Sequence, residues 1–150
     1  MKIELVRRDD AFHFEASGSS EALVHIDASQ DIGGQNLGVR PMELLLMGLA
    51  SCSAIDVVLI LKKQRQEITD FRITAEGERV KEDNTDRKPY RNIHLHFKLA
   101  GYNLDKTKIE RAIKLSMEKY CSATAQLEGS AAITHELTLE EAIENIKPPH

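Results

Sequence analysis

The sequence has no tryptophan, only three tyrosines and four phenylalanines. A core built with so few aromatics must rest on Leu, Ile, Val, Met and Ala. Cysteine is scarce too. There are two, Cys52 and Cys121, too few for the disulfide scaffold of a small secreted protein. The first residues, MKIELVRRDDAFHFEAS, hold no apolar run and no small-residue cleavage site, so they do not read as a secretory signal. Together these absences predict a cytoplasmic protein, in which a disulfide would be transient and catalytic rather than structural. A surplus of basic residues is also missing. The net charge is -4 and no basic stripe follows any predicted element, which argues against nucleic acid and anionic membrane surfaces as partners. No repeat and no linker interrupts the chain, and it reads as a single domain, 1–150.

What is present is a globular composition, 41% hydrophobic and 29% charged, outside the ranges of disordered or collagen-like chains. At this length a chain buries about two-thirds of the surface its unfolded form exposes. Short strand-like runs come first: KIELV, FHFEA and ALVHID, separated by the turn-rich RRDDA and SGSSE. SQDIGGQNLG follows, a Gly-rich loop without the Gly-Lys-Ser/Thr of a phosphate loop, read as a flexible connector. Pro41 opens a helix at the position where its missing N–H is harmless, and the helix is expected to run to about Gln66. FRITAEGERV and NIHLHFKLA read as two long strands. In the second, Ile93, Leu95, Phe97 and Leu99 alternate with polar residues, so one face is buried. A helix over about Lys106–Tyr120, capped by Asp105 or Asn103, presents Ile109, Ala112, Ile113, Ser116 and Tyr120 in one stripe. A helical turn, a strand over AAITHEL and a closing helix over TLEEAIENIK, capped by Thr138, complete the expected order. This succession is α+β.

The most apolar stretch is RPMELLLMGLASCSAIDVVLILK, residues 40–62. Leu44 to Leu61 reaches about the minimum length of a bilayer span. It also carries Ser51, Ser53 and Asp56, and an ionised Asp is costly at a bilayer centre. A helix buried in a soluble protein fits better, and a chain this short has little to cover it with, which predicts a partner subunit.

Cys52 lies in the middle of that stretch. A free cysteine in an apolar helix ordinarily just packs. Here Gly48, Ala50, Ser51, Ser53 and Ala54 crowd it with small side chains, and Asp56, four residues on, shares its helix face. A carboxylate in so apolar a segment needs a partner, expected to be a Lys or Arg of a second subunit. Cys121 ends the second long helix, and whether the two sulfurs meet is open, since a bridge needs Cα atoms closer than about 7 Å. His94 and His96 share a strand face and His135 sits on another strand. The pair plus a Cys would suit zinc, but the polar face of a half-buried strand is where His is ordinarily found, so no metal and no cofactor is expected.

RPMELLLMGLASCSAIDVVLILKK, with LSMEKYCSATAQLEGSAAITHEL further on, resembles the OsmC/Ohr superfamily over about residues 20–140. CSAIDVV and EKYCS look more like its YhfA-like branch than its peroxidase branches. The resemblance implies an OsmC-like fold, with antiparallel sheets wrapped around two long central helices in an intertwined homodimer whose active sites lie at the interface. It also implies a thiol peroxidase acting on small-molecule organic hydroperoxides. Cys52 matches the peroxidatic cysteine and Cys121 the resolving one, with a cellular dithiol as reductant and a pocket lined by Met42, Met47 and Leu side chains.

The chain departs from the peroxidase branches in two places. Their helix-opening proline is followed directly by an acid; here Met42 intervenes before Glu43, and one residue turns a helix by about 100°. Their activating Arg lies in the N-terminal strand or loop region; here no Arg occurs between Arg8 and Arg40. Arg40 and Glu43 are therefore the candidates for those roles, each with a plainer reading: solvent exposure for Arg40, an acid in a helix's first turn for Glu43. Two rivals follow. One is a small-molecule or lipid-binding or redox-sensing protein of the same fold without useful turnover; the other is a structural protein with inert thiols.

Overall fold

The computed structural model of the chain describes residues 1–142. The chain divides into two compact units, Met1–Leu45 and a second beginning at Leu46.

In the first unit, β1 (Glu4–Arg7), β2 (Phe14–Ser17) and β3 (Val24–Ile26) form an antiparallel meander in that order. The Asp9 carboxylate accepts the N–H groups of Ala11 and His13 and so closes the β1–β2 turn. The loop after β3 is no loose connector. Asp27, only 2% exposed, accepts the N–H groups of Ala28 at 2.7 Å, Gln35 at 3.0 Å and Leu37 at 3.0 Å. Gly34 is required there, because a Cβ at that position would lie 1.9 Å from the Ala28 carbonyl oxygen.

α1 spans Pro41–Lys63, three residues shorter than its expected end. Arg65, with φ 55°, turns the chain left-handed just beyond it. Within α1, Leu49, Ser53, Val57 and Leu61 are buried in one i, i+4 row, while Met47, Ile55 and Leu59 are exposed.

The second unit holds β4 (Glu67–Arg79), β5 (Tyr90–Tyr102) and β6 (Ala132–Glu141), in the order β4-β5-β6. The alternation seen in β5 is realised: Ile93, Leu95, Phe97 and Leu99 are buried. They share the core with Ile109, Ala112 and Ile113 of α2 (Lys106–Leu115), and each large side chain so buried contributes about 1.5–3 kcal/mol. Asp105 caps α2 through the Lys108 N–H. Gly77 in β4 leaves room for the Tyr90 ring, which would sit 2.4 Å from a Cβ there.

Two expectations change. The sheets are not antiparallel throughout: β6 pairs with β5 in parallel, from Asn92↔Ala132 to Gly101↔Glu141. A strand returning after a helical crossover enters the sheet in the same direction as the strand it left. Thr138 caps no helix either. Residues 138–141 continue β6, where Thr138 Oγ1 bonds His96 and Leu139 pairs with Leu99. The rest of the expected closing helix lies outside the described residues, apart from Ala142.

Candidate functional site

Cys52 and Asp56 sit on α1, one turn apart. Cys121 reaches them by an unexpected route. The second helix is not regular to its end: after Leu115 a π-helical turn, Ser116–Tyr120, widens it. Such turns inside helices are frequent at functional sites. The chain then breaks at Cys121, which caps α3 (Ser122–Leu127) by accepting the Thr124 N–H at Sγ, 3.4 Å.

The sulfurs of Cys52 and Cys121 and a carboxylate oxygen of Asp56 all lie within 4.8 Å of one another. Both cysteines are free thiols, Cys121 buried and Cys52 half-buried. Burial pushes the Cys121 thiol above its ordinary pKa, and the neighbouring Cys52 adds to the rise. Thr124 opposes it through its side chain and backbone N–H, and burial wins.

Two serines fix this corner. Ser53 and Ser116, both fully buried, bond hydroxyl to hydroxyl at 3.0 Å and so tie α1 to the π turn. The Ser116 hydroxyl also lies within donor distance of Asp56 Oδ2, 3.2 Å. Asp56 thus has a hydroxyl partner inside its own chain. The Met117 sulfur takes hydroxyl contacts from Ser53 at 3.5 Å and Thr124 at 3.9 Å. In the sequence Ser53 read as a small polar residue beside Cys52 and Ser116 as part of the second helix's stripe, and no sequence signal announced the π turn.

A cavity of about 370 Å³ opens beside Asp56, lined with Leu59, Ile60, Lys63, Leu115 and Tyr120. Neither Met42 nor Met47, the expected lining, is among its residues. A larger cavity, about 450 Å³, lies along Val58, Lys62 and Phe71; neither cavity is lined by a cysteine, and of the two the smaller one includes Asp56 of the thiol cluster.

Arg40 and Glu43, in the first unit, are brought to each other. The Glu43 carboxylate accepts the Arg40 backbone N–H at 2.8 Å, the return arm of a capping box at the start of α1. The Arg40 guanidinium donates to the carbonyls of Gly38, 2.8 Å, and Asp27, 3.3 Å, and to the Asn36 side chain. These bonds lock the loop around Asp27. His94, His96 and His135 do not come together as a ligand set. His94 and His96 each bond a threonine of β6, at 2.8 Å, and flank Glu136. His135 turns its ring edge-on to Phe97.

The sequence model of the family described as OsmC-like protein matches residues 33–136. The chain belongs to the OsmC-like family. It is 43% identical over 95 residues to protein YhfA of Escherichia coli K12, covering 63% of this chain and 69% of that one. Among solved structures, a hypothetical protein from Aquifex aeolicus VF5 superposes with a TM-score of 0.74 at 34% identity, over 93% of this chain and 97% of the other. An organic hydroperoxide resistance protein OsmC from Legionella pneumophila shares the fold, with a TM-score of 0.68 at 14% identity, over 91% and 95% of the two chains.

Proposed function

We propose that this OsmC-like protein is a two-cysteine peroxidase that reduces organic hydroperoxides in oxidative-stress defence. The observation that carries the reading is the approach of two free thiols, one on α1 and one just beyond the π turn, within 4.8 Å of each other and of Asp56, which lines a cavity. Its volume, about 370 Å³, suits a small organic molecule. The name of the Legionella protein supports the substrate class.

The roles divide by environment. Cys52 is the more accessible sulfur and is the one that attacks. Its thiolate displaces the alcohol from the O–O bond and becomes a sulfenic acid. Cys121, kept as a thiol by burial, then attacks that sulfur. Water leaves and a Cys52–Cys121 disulfide forms, which a cellular dithiol reduces. Asp56, with a carboxylate oxygen within 4.8 Å of both sulfurs, takes the proton from a thiol through one bridging water and returns it to the departing oxygen. Arg40 and Glu43 act one step away on this reading, by fixing the loop and the start of α1.

The exposed Met47, Ile55 and Leu59 support a homodimer, because a helix apolar on all sides needs cover on all sides. α1 is also long and apolar enough to cross a membrane, but Asp56 and the buried Ser53 within it, bonded to Ser116, favour a protein neighbour. A cytoplasmic location suits thiols that must be re-reduced after each turnover.

Cumene hydroperoxide consumption, driven by a small dithiol, tests the reading. The wild type should turn over and Cys52→Ser should fall to background. Equal rates in the two proteins would refute it. A second reading, a binding protein or redox sensor without useful turnover, is favoured by the engagement of the Arg40 guanidinium with loop oxygens. It expects a bound organic ligand in the purified protein and a slow peroxide reaction.

A further inference from the structure

The three groups at the site are also a donor set for a metal ion. Cys52 and Asp56, at i and i+4 on α1, offer a sulfur and an oxygen from one helix face. Cys121 adds a second sulfur from the far side, and all three donor atoms lie within 4.8 Å of one another. A tetrahedral ion with bonds of about 2.0–2.3 Å holds its donors about 3.5–3.8 Å apart. Closing the set onto an ion therefore needs a contraction of at most about 1.3 Å in any pair, within the reach of side-chain rotation.

We propose that the reduced Cys52–Asp56–Cys121 cluster binds one Zn²⁺ per chain and that oxidation of the two thiols to a disulfide abolishes the site. The donor types select the ion. Two thiolates and a carboxylate suit zinc, while calcium and magnesium require oxygen donors throughout. Charge points the same way. Two thiolates and a carboxylate this close repel one another, and a divalent cation lets all three be ionised together. The surroundings are those of a supported ligand set. The Ser116 hydroxyl holds one carboxylate oxygen of Asp56 and leaves the other for the ion, the kind of outer contact that orients a metal ligand. The Thr124 N–H points at Cys121 Sγ. Three protein donors leave a fourth position, and Asp56 also lines the cavity, so water or a ligand in the cavity takes it.

The inference stands apart from the peroxidase reading, because it concerns the resting dithiol and needs no peroxide. A diazene-dicarboxamide oxidant links the two states in balance. The two thiols become a disulfide, and their two hydrogens reduce the N=N bond to a hydrazine. The sulfurs then lack the anionic pairs that held the ion.

The test uses Co²⁺ as a spectroscopic probe, with fully reduced protein in metal-free buffer. The expected result is one equivalent bound per chain, with a thiolate-to-cobalt charge-transfer band that one equivalent of Zn²⁺ displaces. Cys52→Ser and Cys121→Ser should lose most of that band, and Asp56→Asn should weaken binding at least about tenfold. Oxidised wild type should show no band and regain it on reduction, which keeps the test decisive even where a variant folds poorly. No charge-transfer band in reduced wild type, a band unchanged in Cys52→Ser, or equal binding by the oxidised protein would overturn the site. Loss of peroxide turnover with cobalt binding intact would refute the peroxidase reading and leave the metal site standing.

Discussion

Two polar clusters in this molecule resemble each other in composition and differ in what they leave undone. In the first unit, Asp27 is buried and accepts three backbone N–H groups, and Arg40 is bonded to three loop oxygens. In the second, Asp56 has one serine hydroxyl beside it and two free thiols nearby. The first cluster has its hydrogen-bonding groups engaged and reads as a clamp. The second keeps lone pairs and thiols unspent, next to a cavity, and reads as a place for chemistry. A buried charge is tolerated only when its bonds are made, so the filled cluster shapes the loop and the half-filled one is where a ligand or substrate has something to meet.

The comparison can be broken by substitution, most severely at the thiols. Cys52→Ser should abolish peroxide turnover, read as hydroperoxide consumption, while far-UV circular dichroism stays that of the wild type. Cys121→Ser should come next. Turnover should fall, and Cys52 should accumulate as sulfenic and then sulfinic acid, since nothing resolves the first oxidation. Ser116→Ala should cost about 1–3 kcal/mol in urea unfolding, because it leaves the buried Ser53 hydroxyl only its weak contact with the Met117 sulfur. A value near zero would mean that the serine pair does not hold α1 to the π turn.

The smallest effect belongs to the clamp, and it carries a pH signature. Backbone N–H groups, that of Leu37 foremost, hold the Asp27 carboxyl below its ordinary pKa against the opposing effect of burial. A carboxyl lowered on folding stabilises fully above its unfolded pKa of about 3.9, and the contribution is lost as pH falls through the lower folded value. Asp27→Asn should therefore unfold at lower urea near neutral pH, and the gap to wild type should shrink below about pH 4. Peroxide turnover in that variant should stay within a few-fold of wild type. A gap independent of pH would remove the ionised carboxylate from the explanation.

The parts of this structure that were legible in the sequence are those set by periodicity. The alternation of Ile93, Leu95, Phe97 and Leu99 gave the buried face of β5, and Pro41 with the basic last turn bounded α1 to within three residues. The cysteine helices carried the family. What the sequence hid depends on where the backbone goes. Asp27 was missed because its partners are N–H groups eight and ten residues on, and a backbone donor leaves no residue-type signal. The parallel entry of β6 and the π turn at Ser116 are matters of chain direction and helix width, which no single residue encodes. TLEEAIENIK carried helix-start chemistry at Thr138, yet pairing with β5 overrode it through Glu141, a local preference losing to a ladder of tertiary bonds.

On the proposed reading, Cys52 and Cys121 act as one redox pair. Reduced protein mixed with about one equivalent of cumene hydroperoxide per chain, and weighed intact within seconds, tests it most directly. A redox pair loses two hydrogens in the wild type, does not change in Cys52→Ser and gains one oxygen in Cys121→Ser. An unchanged wild-type mass would contradict it and pass the site to ligand binding instead.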